Sequence, residues 1–147
     1  IIMKLFKSFK VEELKQDTSG IINIMALLIE ASSIDGEISE NEVEKIVEMI
    51  LNYFDLDSET VNDYYNQAKL KQQDSVSFHE FTSKIHQEFN YKQKIDILEM
   101  LWHVVLADQK EHEFESNLMR RVSGLLHIRD VDNGIARRSV LKKLEAI

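Results

Sequence analysis

No proline interrupts this chain of 147 residues, and glycine occurs four times. Those two residues end helices, bend strands and build tight turns, so a sequence nearly without them must stop its helices with polar caps. Good helix formers fill almost every window between the candidate caps. An all-α chain is therefore expected.

Hydrophobic spacing divides the chain further. Ile21, Ile24, Met25, Leu28 and Ile29 recur at helical spacing and predict a core helix over 20–33. Ser39 followed by Glu42 makes a capping box, and Ile46, Val47, Ile50 and Phe54 form the apolar stripe of a second helix. Asp57 or Ser58 caps a third that carries Val61, Tyr64, Tyr65, Ala68 and Leu70. Ser77 with Glu80 opens a fourth with Phe78, Phe81 and Ile85. Asn90 caps the longest apolar stretch, Ile95, Leu98, Leu101, Trp102, Val105 and Leu106, which is the expected central helix. Phe114, Leu118, Met119, Val122, Leu125 and Leu126 mark a sixth helix. Ile135, Val140 and Leu144 mark a weaker seventh, capped by Asp130 or Asp132. Six or seven helices with short connections make a bundle, read here as one domain over 20–147 preceded by an arm over 1–19.

The chain also repeats itself. Leu28, Glu30, Asp35 and Glu42 lie 73 positions before Leu101, His103, Asp108 and Glu115, and three of the four pairs are identical. The register then slips by one, because Ile46, Val47, Ile50 and Phe54 match Leu118, Met119, Val122 and Leu126 at an offset of 72. Each half reads as an apolar helix, an acidic turn and a second helix, giving a pseudo-twofold repeat of helix pairs around a spacer.

Two segments of this repeat resemble a known family. ALLIEASSIDGEISENEVEKI, from Ala26 to Ile46, and LEMLWHVVLADQKEHEFESNLMRRVSGLLHI, from Leu98 to Ile128, are similar to the TerB-like tellurite-resistance family, and the likeness runs from about Ile21 to Arg138. The resemblance implies a seven-helix bundle, an acidic surface associated with divalent metal, and a role in bacterial tellurite and stress resistance without a demonstrated reaction. Asp35-Gly36-Glu37 keeps the family's turn, whereas the second turn has Gln109 for the usual glycine and Lys110 for the usual glutamate.

Apart from that likeness, composition limits the functions. The formal charge of −8 repels phosphate backbones, so no nucleic-acid partner is expected and cations or basic proteins are favoured. The absence of cysteine removes disulfides, thiolate metal sites and a cysteine nucleophile, and makes the cytoplasm the expected compartment. No apolar run approaches the roughly 20 residues of a membrane span. Lys4, Lys7 and Lys10 interleave with Leu5, Phe6 and Phe9, so residues 3–10 are the one stretch suited to a weak contact at the inner-membrane surface.

The acidic turns are the richest donor sets. Asp35, Glu37, Glu40 and Glu42 crowd hard oxygens into the first, and Asp108, Glu111, Glu113 and Glu115 into the second, chemistry that suits calcium or magnesium better than zinc. Asp35, Glu37, Glu42, Asp108 and Glu115 are the candidate metal ligands, converging if the repeat brings both turns together. An EF-hand is excluded, since counting from Asp35 puts glycine second and Ile46 in the place of the bidentate glutamate. The competing reading is capping, because acids in a first helical turn complement the helix dipole without any ion.

Other constellations carry less. Glu30 and His103 occupy equivalent positions on helices expected to pack, with Glu99 one turn before His103, and form either an acid–imidazole pair or a hydrogen-bonded polar seam. His79-Glu80 and His112-Glu113 begin like zinc-protease helices, but Ser83 and Ser116 stand where the second histidine belongs. His79 and His86 read as solvated. No nucleophile and base are spaced for catalysis, so the chain is expected to be a binding module for a divalent cation, a protein partner or both, with a metal-independent adaptor as the alternative.

Overall fold

A computed structural model of the chain describes residues 19–33, 38–74, 78–106 and 113–145. They form seven helices and no strand: α1 (Ser19–Ser32), α2 (Glu40–Phe54), α3 (Ser58–Asp74), α4 (Phe78–Glu88), α5 (Tyr91–Leu106), α6 (Glu113–Leu125) and α7 (Asp130–Glu145). The caps follow from side-chain chemistry. Ser39 and Glu42 satisfy each other's backbone amides at 3.2 Å in a capping box. Asp57 accepts from the Thr60 amide at 2.7 Å, which decides between it and Ser58. Asn90 and Gln93 repeat the capping-box exchange at 2.9 and 3.0 Å. Ser77 lies outside the described residues.

The core differs from the expected one in its centre. Every residue from Gly20 to Ile29 is buried, and α1 packs against α2, α3, α4 and α5. With Asn23 and Glu30 as the sole strongly polar residues between its serines, α1 has no face to offer to water, so it lies innermost. The α5 helix, expected at the centre, instead keeps Gln93, Ile95, Asp96 and Glu99 half-buried along its outer side. Leu70 and Ile135, expected in the core, are 65% and 51% exposed. On α7 the stripe instead runs through Ala136 and Val140, one turn apart. Asp130 and Asp132 are first-turn acids of α7, and Asp132 pairs with Arg129 at 3.0 Å and with the Tyr91 hydroxyl.

The repeat is present and larger than helix pairs. Phe54 and Leu126 are buried equivalents at the offset of 72, and each is followed by a left-handed residue, Asp55 at φ 53° and His127 at φ 58°. Ser58 and Asp130 then start α3 and α7 at the same offset, and Ala68 and Val140 bury at matching positions. Contacts repeat as well: α1 packs on α2 and α3 as α5 packs on α6 and α7. The unit is thus three helices, with α4 as the spacer that lies against α1 and α6. A third helix escaped the sequence comparison because α3 and α7 share, at that offset, one buried position, Ala68 with Val140, and almost no identical residues.

Candidate functional site

Of the five candidate metal ligands, Asp35, Glu37 and Asp108 lie outside the described residues, as does the side chain of Glu115. Glu42 is described. It stands half-buried in the first turn of α2, where its Oε1 accepts from the Ser39 amide at 3.2 Å and the Ser39 hydroxyl at 3.0 Å. Both bonds fall on one oxygen, so capping leaves Oε2 without a partner among the described residues. Capping and cation binding are therefore compatible roles for this carboxylate. At the other end of α2, Tyr53 meets His103 edge-on with ring centroids 6.4 Å apart. Eleven residues of helix rise separate Glu42 from Tyr53, roughly 16 Å along the axis. Among the described residues no three histidines, aspartates or glutamates are gathered to hold a metal.

Glu30 and His103 do not pair; each turns to a different neighbour. The Glu30 carboxylate accepts from Gln72 Nε2 of α3 at 2.5 Å. Beside it, Lys71 donates to the buried Asn23 amide oxygen at 2.5 Å, so α1 and α3 share a short polar seam within the apolar interface. His103 packs against Tyr53, and its Nε2 has no hydrogen-bond partner among the described residues. Burial, with the nearby Lys143 ammonium, holds the His103 imidazole down to about 4, so the ring is neutral near pH 7. Burial foremost, with Glu99 and Asp96 adding to it, raises the Tyr53 phenol above its ordinary value. Lys143 reaches Glu99 at 3.8 Å, which uses part of the C-terminal basic face for structure. Arg137 covers the Trp102 ring at 5.8 Å, and the indole N–H donates to Asn133 at 2.9 Å.

Sequence reasoning missed a second group of polar residues. Lys94 is 5% exposed within α5, and its ammonium approaches His86 Nδ1 and the Leu126 carbonyl, while His86 stacks on His127. The available signal was a lysine inside an otherwise apolar helix face, together with a histidine where a helix ends without glycine.

Comparison with known proteins adds to this geometry. The family described as tellurite resistance protein TerB matches residues 21–138. The chain belongs to the TerB family. No curated protein and no solved structure matches it. The TerB match begins at the third residue of α1, takes in both three-helix units and the spacer, and ends inside α7. It contains both acidic turns and excludes the arm before residue 19. No helix among the described residues is long and apolar enough to cross a membrane.

Proposed function

We propose that the chain is a non-enzymatic module of tellurite and metal stress resistance that binds a divalent cation, calcium or magnesium, at the turn carrying Asp35, Glu37 and Glu42. What supports this reading most is the turn Asp35-Gly36-Glu37, which retains the family pattern in a chain that the TerB family matches over 21–138. The Oε2 of Glu42, without a partner among the described residues, supports it further, since the one described member of the set has an oxygen to give. Asp108 and Glu115 form the second acidic turn and join the site where the repeat brings them near. In this reading the ion fixes the α1 to α2 connection and shapes a surface for a protein partner, working from the cytoplasmic side.

The test is a titration of calcium, magnesium and zinc followed by thermal unfolding. A cation that binds the folded chain raises Tm with concentration, by about 2.7 kcal/mol of stability at a hundred times Kd. Asp35→Asn with Glu37→Gln abolishes the rise, and Asp108→Asn with Glu115→Gln lowers it if the second turn contributes. An unchanged Tm at millimolar metal overturns the proposal.

One observation favours the alternative of a metal-independent adaptor. Val131 and Ile135 lie one turn apart on α7 and are 70% and 51% exposed. In that reading the acids serve as caps, and metal leaves both Tm and partner binding unchanged.

A further inference from the structure

Lys94 projects from α5 into a nearly closed space, and no carboxylate among the described residues acts on it. An ammonium has three N–H donors, and three acceptors of different kinds face this one. The Leu126 carbonyl lies at 2.7 Å, His86 Nδ1 at 2.9 Å, and the face of the Tyr91 ring at 5.7 Å from its centroid. Leu126 directly follows the last residue of α6, where the negative pole of the helix dipole welcomes a cation. Because the ammonium donates, His86 Nδ1 must accept, so the ring is neutral with its proton on Nε2.

His86 in turn stacks on His127, with centroids 4.1 Å apart and planes inclined by 24°. His127 occupies an unusual place for a side chain. The His127 amide donates to Gly124 at 3.1 Å and the Ile128 amide to Ser123 at 2.9 Å, the Schellman pattern that closes a helix. Its left-handed residue is usually glycine, and His127 holds φ 58° instead. The stacking contact with His86 is what an imidazole supplies there and glycine cannot.

We propose that Lys94, His86 and His127 form an acid-released clasp that fastens α4 to the end of α6. Protonation of His86 removes an acceptor from the buried ammonium and places a second cation against it. Among the described residues no carboxylate relieves this. From α5 the groups facing His86 are Lys94 and the Tyr91 ring beneath it, and from the end of α6 they are His127 and the Leu126 carbonyl. From α1, Glu30 is the titratable side chain described, and it is bound to Gln72. Glu80, Lys84 and Glu88 of α4 itself act on Lys71 of α3. Loss of solvation foremost, then Lys94 and His127, hold the His86 imidazole below its ordinary value of 6.5, against a smaller opposite pull from the Leu126 carbonyl. The folded chain thus takes up this proton less readily than the unfolded one. The clasp is fully made above about pH 6.5 and weakens as pH falls below it. Since α4 is the spacer between the three-helix units, its release is a local opening that leaves both units in place.

Amide hydrogen exchange, corrected for intrinsic rates, reads this directly at about pH 7.5 and about pH 5.5. The expected result is a loss of protection across 78–88 and at Leu126 to Ile128 at the lower pH that exceeds several-fold the loss shared by α1 and α5. His86→Gln preserves an acceptor that does not titrate and abolishes that excess. Lys94→Met removes the neighbouring cation and moves the His86 titration, followed by NMR, up towards 6.5. His127→Gly relieves the backbone, folds in any event, and weakens the pH response by deleting the stacked ring. The same excess loss over α1 and α5 in His86→Gln, or a His86 titration at or above 6.5 in the unsubstituted chain, overturns the proposal.

Discussion

Asp55 and His127 stand 72 positions apart and share a left-handed backbone, with φ of 53° and 58°, within two residues of the ends of the corresponding helices α2 and α6. They are the two non-glycine residues with positive φ among those described. Sidewise Cβ crowding makes that region costly for any residue with a side chain, and aspartate is among the few that tolerate it. Asp55→Gly is expected to exceed Asp55→Ala in stability by about 1 kcal/mol, measured by thermal or urea unfolding. Equal stabilities would mean that the left-handed turn is not required at the end of α2.

His103 predicts a second acid response, separate from the clasp. Its folded-state value is lowered to about 4 from 6.5, so the unfolded chain binds the proton first as pH falls. Stability from this group is complete above 6.5 and declines between 6.5 and 4. The loss is about 2 kcal/mol once partial exposure is discounted. His103→Phe removes an unpartnered buried nitrogen and should flatten this part of the pH profile at no cost near neutrality. Urea midpoints measured across that interval, variant against parent, give the comparison.

The register of α7 is testable by contrast. Val140 is fully buried, and Val140→Ala should cost about 2 kcal/mol. Ile135→Ser and Leu70→Ser, at exposed positions, should change stability by less than about 0.5 kcal/mol. A large loss at Ile135 would show that the inward face of α7 had been misassigned.

Trp102 offers a local reporter. Its indole N–H is buried and bonded to Asn133 at 2.9 Å, so Asn133→Ala leaves a donor without its acceptor. The expected cost is about 1–3 kcal/mol, with a shift in tryptophan emission before global unfolding.

Capping and cation binding separate at Ser39. Ser39→Ala removes half of the capping box and should cost about 1 kcal/mol, yet leave a metal-induced rise in Tm in place, because the hydroxyl is not among the proposed ligands. Loss of the rise along with the cap would tie the two functions together and weaken the case for an ion at Glu42.

The sequence by itself determined the helical segments, the caps at Ser39 and Asn90, and the family, while the choice of Asp57 over Ser58 at α3 came from the structure. These are local matters: a serine three residues before a glutamate, or apolar residues four apart, act within one or two turns and need no distant partner. The acidic clusters around Asp35 and Asp108 are sequence features of the same local kind, donors within a few residues of one another, and Asp35, Glu37 and Asp108 lie outside the described residues. Tertiary structure alone decided that α1 lies innermost, that Ile135 and Leu70 face solvent, and that Glu30 answers to Gln72 while His103 answers to Tyr53. It also joined His86, Lys94 and His127 from three separate elements. An amphipathic stripe specifies that a helix has a buried side, but the burial of each position depends on which neighbours close over it, and that is settled by how all seven helices pack at once.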